Sequence, residues 1–329
     1  MTCGSCGYRF ALNPKQSPKL TDVAFRRLID RVSGEGEYYF TYNQLLAQVY
    51  RRVTKLGTMT VISYLALSIL IAGVLLVTPF LSMDIPFSPS FPKGCLITLI
   101  IIGGWIVVVK FMRTVSIDTV RNKIGNYNSI HPIEKMVDGK AFENLKSAEF
   151  DEEMFQYAPD RILIVERNDM ADMLLLNRFH LENKTLVVSA EKYPLRAFRA
   201  CQEYLSKYPD MEVALMHDAS EKGLGMKDRL LRDPEWNLDG RNIRDLGLLP
   251  DDLARLKSPM WIPESRGNIL SKGDPEENMA KGYTMPFDVA PAKSMMGTMG
   301  LAAALGVALL SEELLAEQKD KDNGGSGFG

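Results

Sequence analysis

Histidine and cysteine are both scarce in this chain. Its 329 residues hold three histidines, His131, His180 and His217, none at ligand spacing from another, which excludes a histidine-rich metal enzyme. The four cysteines, Cys3, Cys6, Cys95 and Cys201, are too few for a disulfide-stapled secreted module. There is no glycine-rich phosphate loop, nucleophile elbow, zinc-protease helix, EF-hand loop or internal repeat. What is present is 46% hydrophobic residue content, too high for a disordered chain, and a length that fits about two ordinary domains.

Charge is missing in two places. No charged residue lies between Lys55 and Asp84, a window that contains the apolar run 59–80. A span needs about 20 mostly apolar residues to cross the hydrocarbon core. A second run lies between Lys93 and Lys110, is extended by Phe91 and Phe111, and is flanked by lysines able to snorkel. With a short proline-bearing loop between them, 59–80 and 93–111 read as a two-helix transmembrane hairpin within 58–112; a buried core helix is the bland alternative. Arg51, Arg52 and Lys55 precede the hairpin, and Lys110, Arg113, Arg121 and Lys123 follow it, whereas its loop carries only Asp84 and Lys93. The positive-inside rule then places the N-terminus and the main domain in the cytoplasm, with a bacterial inner membrane as the expected location. A third uncharged stretch, 294–311, is rich in Gly and Ala. Within an apolar helix over 294–317 it reads either as a third span or as an interfacial or protein-buried helix. The charged, Gly-rich tail 318–329 reads as disordered.

Residues 1–57 carry nine basic and four acidic residues. They open on Cys3-Gly-Ser-Cys6-Gly, a spacing that lets two thiolates meet one tetrahedral zinc ion. The stretch 3–10 resembles the leader of bacterial zinc ribbons. That resemblance implies zinc, but a ribbon needs a second ligand pair that no nearby residue supplies. The pair is therefore read three ways: as thiols that bind nothing, as part of a zinc site completed by another chain or a distant partner, or as a redox pair. Two helices follow. Thr21 caps the first, with Phe25, Leu28, Ile29 and Val32 on one face. Thr41 and Gln44 form a capping box on the second, with Leu45, Leu46, Val49 and Val53 inward. A helix-turn-helix using Arg26, Arg27 and Arg31 on DNA is one reading. A basic module beside an anionic leaflet is the stronger one.

From residue 114 onward the chain carries 27 basic and 36 acidic residues, a balance that argues against nucleic acid as a partner. Within 113–262, strand patterns over 161–166, 185–189 and 211–216 alternate with helical patterns over 169–177 and 194–208. This order is the signature of an α/β domain with a parallel sheet and right-handed crossovers. In the second helix Leu195, Phe198, Cys201 and Leu205 are expected inward. Short turns and helices fill 236–256, and Pro259-Met-Trp-Ile-Pro263 reads as an extended cover on the core or as a docking strip. Residues 263–293, rich in Gly and Pro, read as linker.

Ligands of parallel sheets bind beyond the carboxyl ends of the strands. Glu166 ends the first strand, and His217 and Asp218 end the third. The stretch 161–223 resembles a degenerate TOPRIM-type domain, with Glu166, Asp218 and Gly223 matching the family pattern and Ser220 standing where a second Asp is expected. The resemblance implies Mg²⁺ held by Glu166 and Asp218, with His217 as acid or base. The competing reading makes these residues strand-end polar groups, with Asp218 or Ser220 capping the next helix. The expectation is a membrane protein that presents a cytoplasmic α/β interaction or scaffolding domain, with lipids and proteins, including further copies of itself, as partners. The alternatives are a TOPRIM-like Mg²⁺-dependent phosphoryl-transfer enzyme or nuclease and, third, a pore or transporter subunit, which the absence of charged residues inside either span, between the flanking lysines, disfavours.

Overall fold

The computed structural model describes residues 2–13, 15–16, 18–54, 115–144, 158–253, 256 and 259–297. The chain divides into two compact units, Met1–Val49 with Ser116–Gly329, and Tyr50–Val115. Among the described helices none is long and apolar enough to cross a membrane. The runs 59–80 and 93–111 lie outside the described residues, as does most of 294–311, of which only 294–297 is seen, in helical form.

Three helices begin the first unit. Helix α1 (Asp22–Ser33) is capped by Thr21, whose hydroxyl accepts from the Ala24 N–H, and ends on Gly34 in the left-handed region. Phe25, Leu28 and Val32 are buried as expected, while Ile29 is half-buried. Helix α2 (Tyr42–Thr54) starts with the anticipated capping box: Gln44 Oε1 accepts from the Thr41 N–H at 2.8 Å, and the Gln44 N–H donates to Thr41 Oγ1 at 3.3 Å. Leu45, Leu46 and Val49 are buried. Helix α3 (Ile117–Ile130) brings Tyr127 into a stack on Phe25 with ring centroids 4.3 Å apart. The short helix α4 (Ala141–Asn144) follows.

The sheet then forms from β1 (Arg161–Val165), β2 (Thr185–Ser189), β3 (Glu212–Met216) and β4 (Ile243–Asp245), all parallel in the order β2-β1-β3-β4. The first three strands, β2 at one edge included, are almost entirely buried, as strands of a parallel sheet covered on both faces are. Their side chains alternate between two cores. Leu163, Val165, Val187, Ala214 and Met216 pack with α5 (Asn168–Leu176) and α6 (Phe179–Glu182). Ile162, Ile164, Leu186, Val188, Val213 and Leu215 pack with α7 (Leu195–Lys207), α9 (Met226–Arg232) and Trp236. The alternating α/β pattern is therefore present, with a fourth strand not anticipated. Cys201 is fully buried, and burial pushes its thiol up to about 12, as expected of a packing residue. Leu195 instead is half exposed, because it occupies the first turn of α7, before the helix meets the sheet.

The Gly- and Pro-rich segment after β4 is structured. Beyond α10 (Pro250–Leu253), Trp261 is fully buried and pairs with Leu270, so this peptide covers the core. A two-stranded antiparallel pair joins β5 (Ile262–Pro263) to β6 (Tyr283–Thr284), with α11 (Pro275–Ala280) between them. Met285, Phe287, Asp288, Val289 and Ala290 are all buried. Linker composition is compatible with this outcome, because the apolar residues among the glycines and prolines bury against the sheet.

Candidate functional site

The register Val165↔Met216 places the carboxyl ends of β1 and β3 side by side. Glu166 and Asp218 are thus neighbours, as expected, and both are buried. Their relation differs from that of two metal ligands. The Asp218 backbone N–H donates to Glu166 Oε2 at 2.9 Å, so Glu166 terminates the sheet's hydrogen bonding. Asp218 Oδ1 accepts the Phe287 N–H at 2.8 Å, and its Oδ2 accepts from Arg167.

Arg167, which directly follows Glu166, organises the cluster. Its Nε donates to Asp169 at 2.9 Å, one Nη to Asp218 and the other to Asp288 at 2.6 Å. A guanidinium presents its donors in a planar fork suited to several carboxylates at once. Burial disfavours its charge, but the charges of Asp218, Asp288 and Asp169 overcome that penalty and raise its pKa well above the ordinary value. Asp288 is fully buried and also accepts from Thr41 Oγ1 and, at 3.4 Å, from Asn43 Nδ2. Burial, aided by the charges of Asp288 and Glu166, lifts Asp218 to about 6 against the pull of Arg167.

His217 turns away from the Glu166–Asp218 pair. Its Nδ1 donates to the Asp218 carbonyl at 2.8 Å, and its Nε2 lies 3.1 Å from Asp245 Oδ1 at the end of β4. Both ring nitrogens face acceptors, which assigns a proton to each. Burial opposes that charge, yet the hydrogen bonds to Asp245 and the Asp218 carbonyl, with the charges of Asp245 and Glu166, raise the His217 pKa overall. Burial would raise Asp245 in turn, but its bond to His217 holds it below the ordinary carboxylate value. Two glycines enclose the ring. A Cβ on Gly247 would lie 2.4 Å from the imidazole, and one on Gly223 would lie 2.1 Å from the Asp218 carbonyl and 3.0 Å from His217 Nδ1. Gly223 is thus required by close approach, and Ser220 caps the short helix α8 (Glu221–Leu224) by accepting the Gly223 N–H.

The segment 285–290 lies over these strand ends as a strap. Ala219 and Met285 exchange two backbone hydrogen bonds of 3.0 Å, Phe287 and Asp288 bind Asp218 and Arg167, and Gln44 Nε2 donates to the Ala290 carbonyl at 2.8 Å. The crevice where such sheets bind ligands is therefore filled by the chain itself. A groove of about 310 Å³ opens elsewhere, between α1 and residues 131–135. A further buried carboxylate, Asp172, accepts the Ala141 and Phe142 N–H groups and the Tyr193 hydroxyl, and so serves as the N-terminal cap of α4.

Cys3 and Cys6 lie together in a turn at the N-terminus, Cys6 exposed and Cys3 partly so. Among the described residues no three His, Cys, Asp or Glu side chains are arranged to hold a metal ion. Sequence reasoning brought Glu166, His217 and Asp218 together but missed Arg167, Asp245 and Asp288 as their partners. Arg167 was legible as a cation flanked by Glu166 and Asp169; Asp288, in a Gly- and Pro-rich stretch, carried no signal.

The fold and this cluster define a three-layer α/β domain whose strand-end crevice is closed by an arginine-centred ion network and a strap. No family model, no curated protein and no solved structure matches the chain.

Proposed function

We propose that this chain is an integral membrane protein, anchored by the hairpin 59–80 and 93–111, that presents a non-catalytic cytoplasmic α/β domain for interaction or scaffolding with protein partners. The membrane part of this reading rests on the charge-free run between Lys55 and Asp84 and on the basic flanks. The observation that carries the non-catalytic part is Arg167, whose guanidinium stands among Asp169, Asp218 and Asp288 where a catalytic sheet of this kind would hold a divalent cation. Glu166 spends an oxygen on a backbone N–H, and a doubly protonated His217 has no site left to accept a proton. The test is turnover by the full-length protein in detergent, purified from alkaline-washed membranes. With Mg²⁺, neither nucleotides nor DNA should be hydrolysed above the background of a Glu166→Ala variant. Activity that Glu166→Ala abolishes overturns the reading, as does release of the protein by the alkaline wash.

One observation favours a second reading, the Mg²⁺-dependent phosphoryl-transfer enzyme. Among the described residues Glu166, Asp169, Asp218, Asp245 and Asp288 face three cations, Arg167, His217 and Lys227, so negative charge is in surplus. Under that reading Mg²⁺ displaces Arg167 and uses Glu166 and Asp218 as oxygen ligands.

A further inference from the structure

The N-terminal turn is built around Cys3. The Ser5 hydroxyl lies 3.4 Å from Cys3 Sγ. The Cys3 N–H donates to the Tyr8 carbonyl at 2.8 Å, and the Gly7 N–H returns to the Cys3 carbonyl at 3.0 Å, with Gly7 in the left-handed region at φ 70°. Thr2 and Arg9 pair across the turn as an antiparallel bridge. The result is a small closed hairpin that carries both cysteines in one turn.

The hairpin is rigidly mounted. Asp22, at the start of α1, accepts the Ala11 and Leu12 N–H groups at 2.9 and 2.8 Å and the Tyr8 hydroxyl at 3.2 Å, and Tyr8 stacks on His131. His131 itself is spoken for, since its Nε2 lies 2.9 Å from the Arg9 carbonyl. Zinc bound by thiolates takes four ligands in tetrahedral array, and a closed structural site leaves none to water. The described residues offer two in this turn. The described residues add no third donor to them. Beside the thiols, Tyr8 and Phe10 are exposed and meet edge to face at 5.0 Å, leaving aromatic surface that a neighbour would cover.

We propose that Cys3 and Cys6 are half of a structural zinc site that a second copy of this chain completes with the same two residues, so that zinc joins two N-terminal hairpins in a homodimer. Two copies related by a two-fold axis present four thiolates and two aromatic pairs to one ion, a self-complementary contact of the kind dimers use. This inference is independent of the strand-end network.

The experiment measures bound zinc per chain in the full-length protein purified in detergent, together with the absorption spectrum after exchange into Co²⁺. The expected result is half a zinc per chain and the charge-transfer and ligand-field bands of a four-thiolate tetrahedral site. Cys3→Ser or Cys6→Ser should each reduce bound metal at least tenfold, and Cys95→Ser and Cys201→Ser should leave it unchanged. The metal-to-chain ratio decides the matter even where other contacts also hold copies together. One zinc per chain, metal retained in the Cys3→Ser variant, or no zinc retained by the wild type would each overturn the proposal.

Discussion

The N-terminal hairpin and the strand-end cluster both hold residue types that chemistry needs, yet they are finished differently. At the strand ends Arg167, His217 and the carboxylates around them are partnered within the chain, and the strap lies over them. At the hairpin the two cysteines share one closed turn, Cys6 exposed and Cys3 partly so. The contrast teaches that a cluster of carboxylates is not by itself a site; what matters is whether its members are already partnered from inside. A buried charge must be paired or it shifts its protonation, and Arg167 and the raised Asp218 show both responses in one place.

Removing the internal cation is the strongest way to break the comparison. Arg167→Met leaves Asp218 and Asp288 buried without their cation and should cost about 3–5 kcal/mol, read as a drop in Tm. If Arg167 stands in for a metal, Mg²⁺ should raise the Tm of this variant but not that of the wild type. Gly223→Ala comes next. A Cβ there would overlap the Asp218 carbonyl at 2.1 Å, a backbone atom that cannot swing aside, so a loss of about 3 kcal/mol or more is expected in denaturant titration.

The pair His217–Asp245 gives a smaller effect with a defined sign. His217 is raised in the folded state, so its stabilisation is complete below the unfolded value of about 6.5 and is lost as pH rises through the folded value. Asp245 is lowered, so its contribution is complete above about 3.9 and is lost as pH falls. Asp245→Asn should cost about 2 kcal/mol near pH 6 and flatten the decline in stability above it; an unchanged pH profile would break the assignment of two ring protons. Gly4→Ala, at the hairpin, should change stability by no more than about 0.5 kcal/mol, since a Cβ there meets nothing within 4 Å.

The strands β1 to β3 were legible because buried parallel strands are short, continuous apolar runs, and the helices between them carry a helical period. The capping box of Thr41 and Gln44 was legible as well, being a local motif with its own chemistry. β4 was not, because Ile243-Arg-Asp245 is a three-residue edge strand with one buried side chain. The cluster was half legible. Glu166 and Asp218 follow from strand order, and their chemistry turns on Asp288, brought in from 121 residues beyond Arg167 by a strap that only tertiary packing defines. The sulfur pair needed no such long-range contact, since a three-residue spacing brings both thiols to one turn.

Titration calorimetry of Mg²⁺ into the full-length wild-type protein in detergent tests most directly whether Arg167 has replaced a metal at the strand ends. The account predicts no saturable heat at millimolar Mg²⁺. Saturable binding that disappears in the Asp218→Asn variant would contradict it.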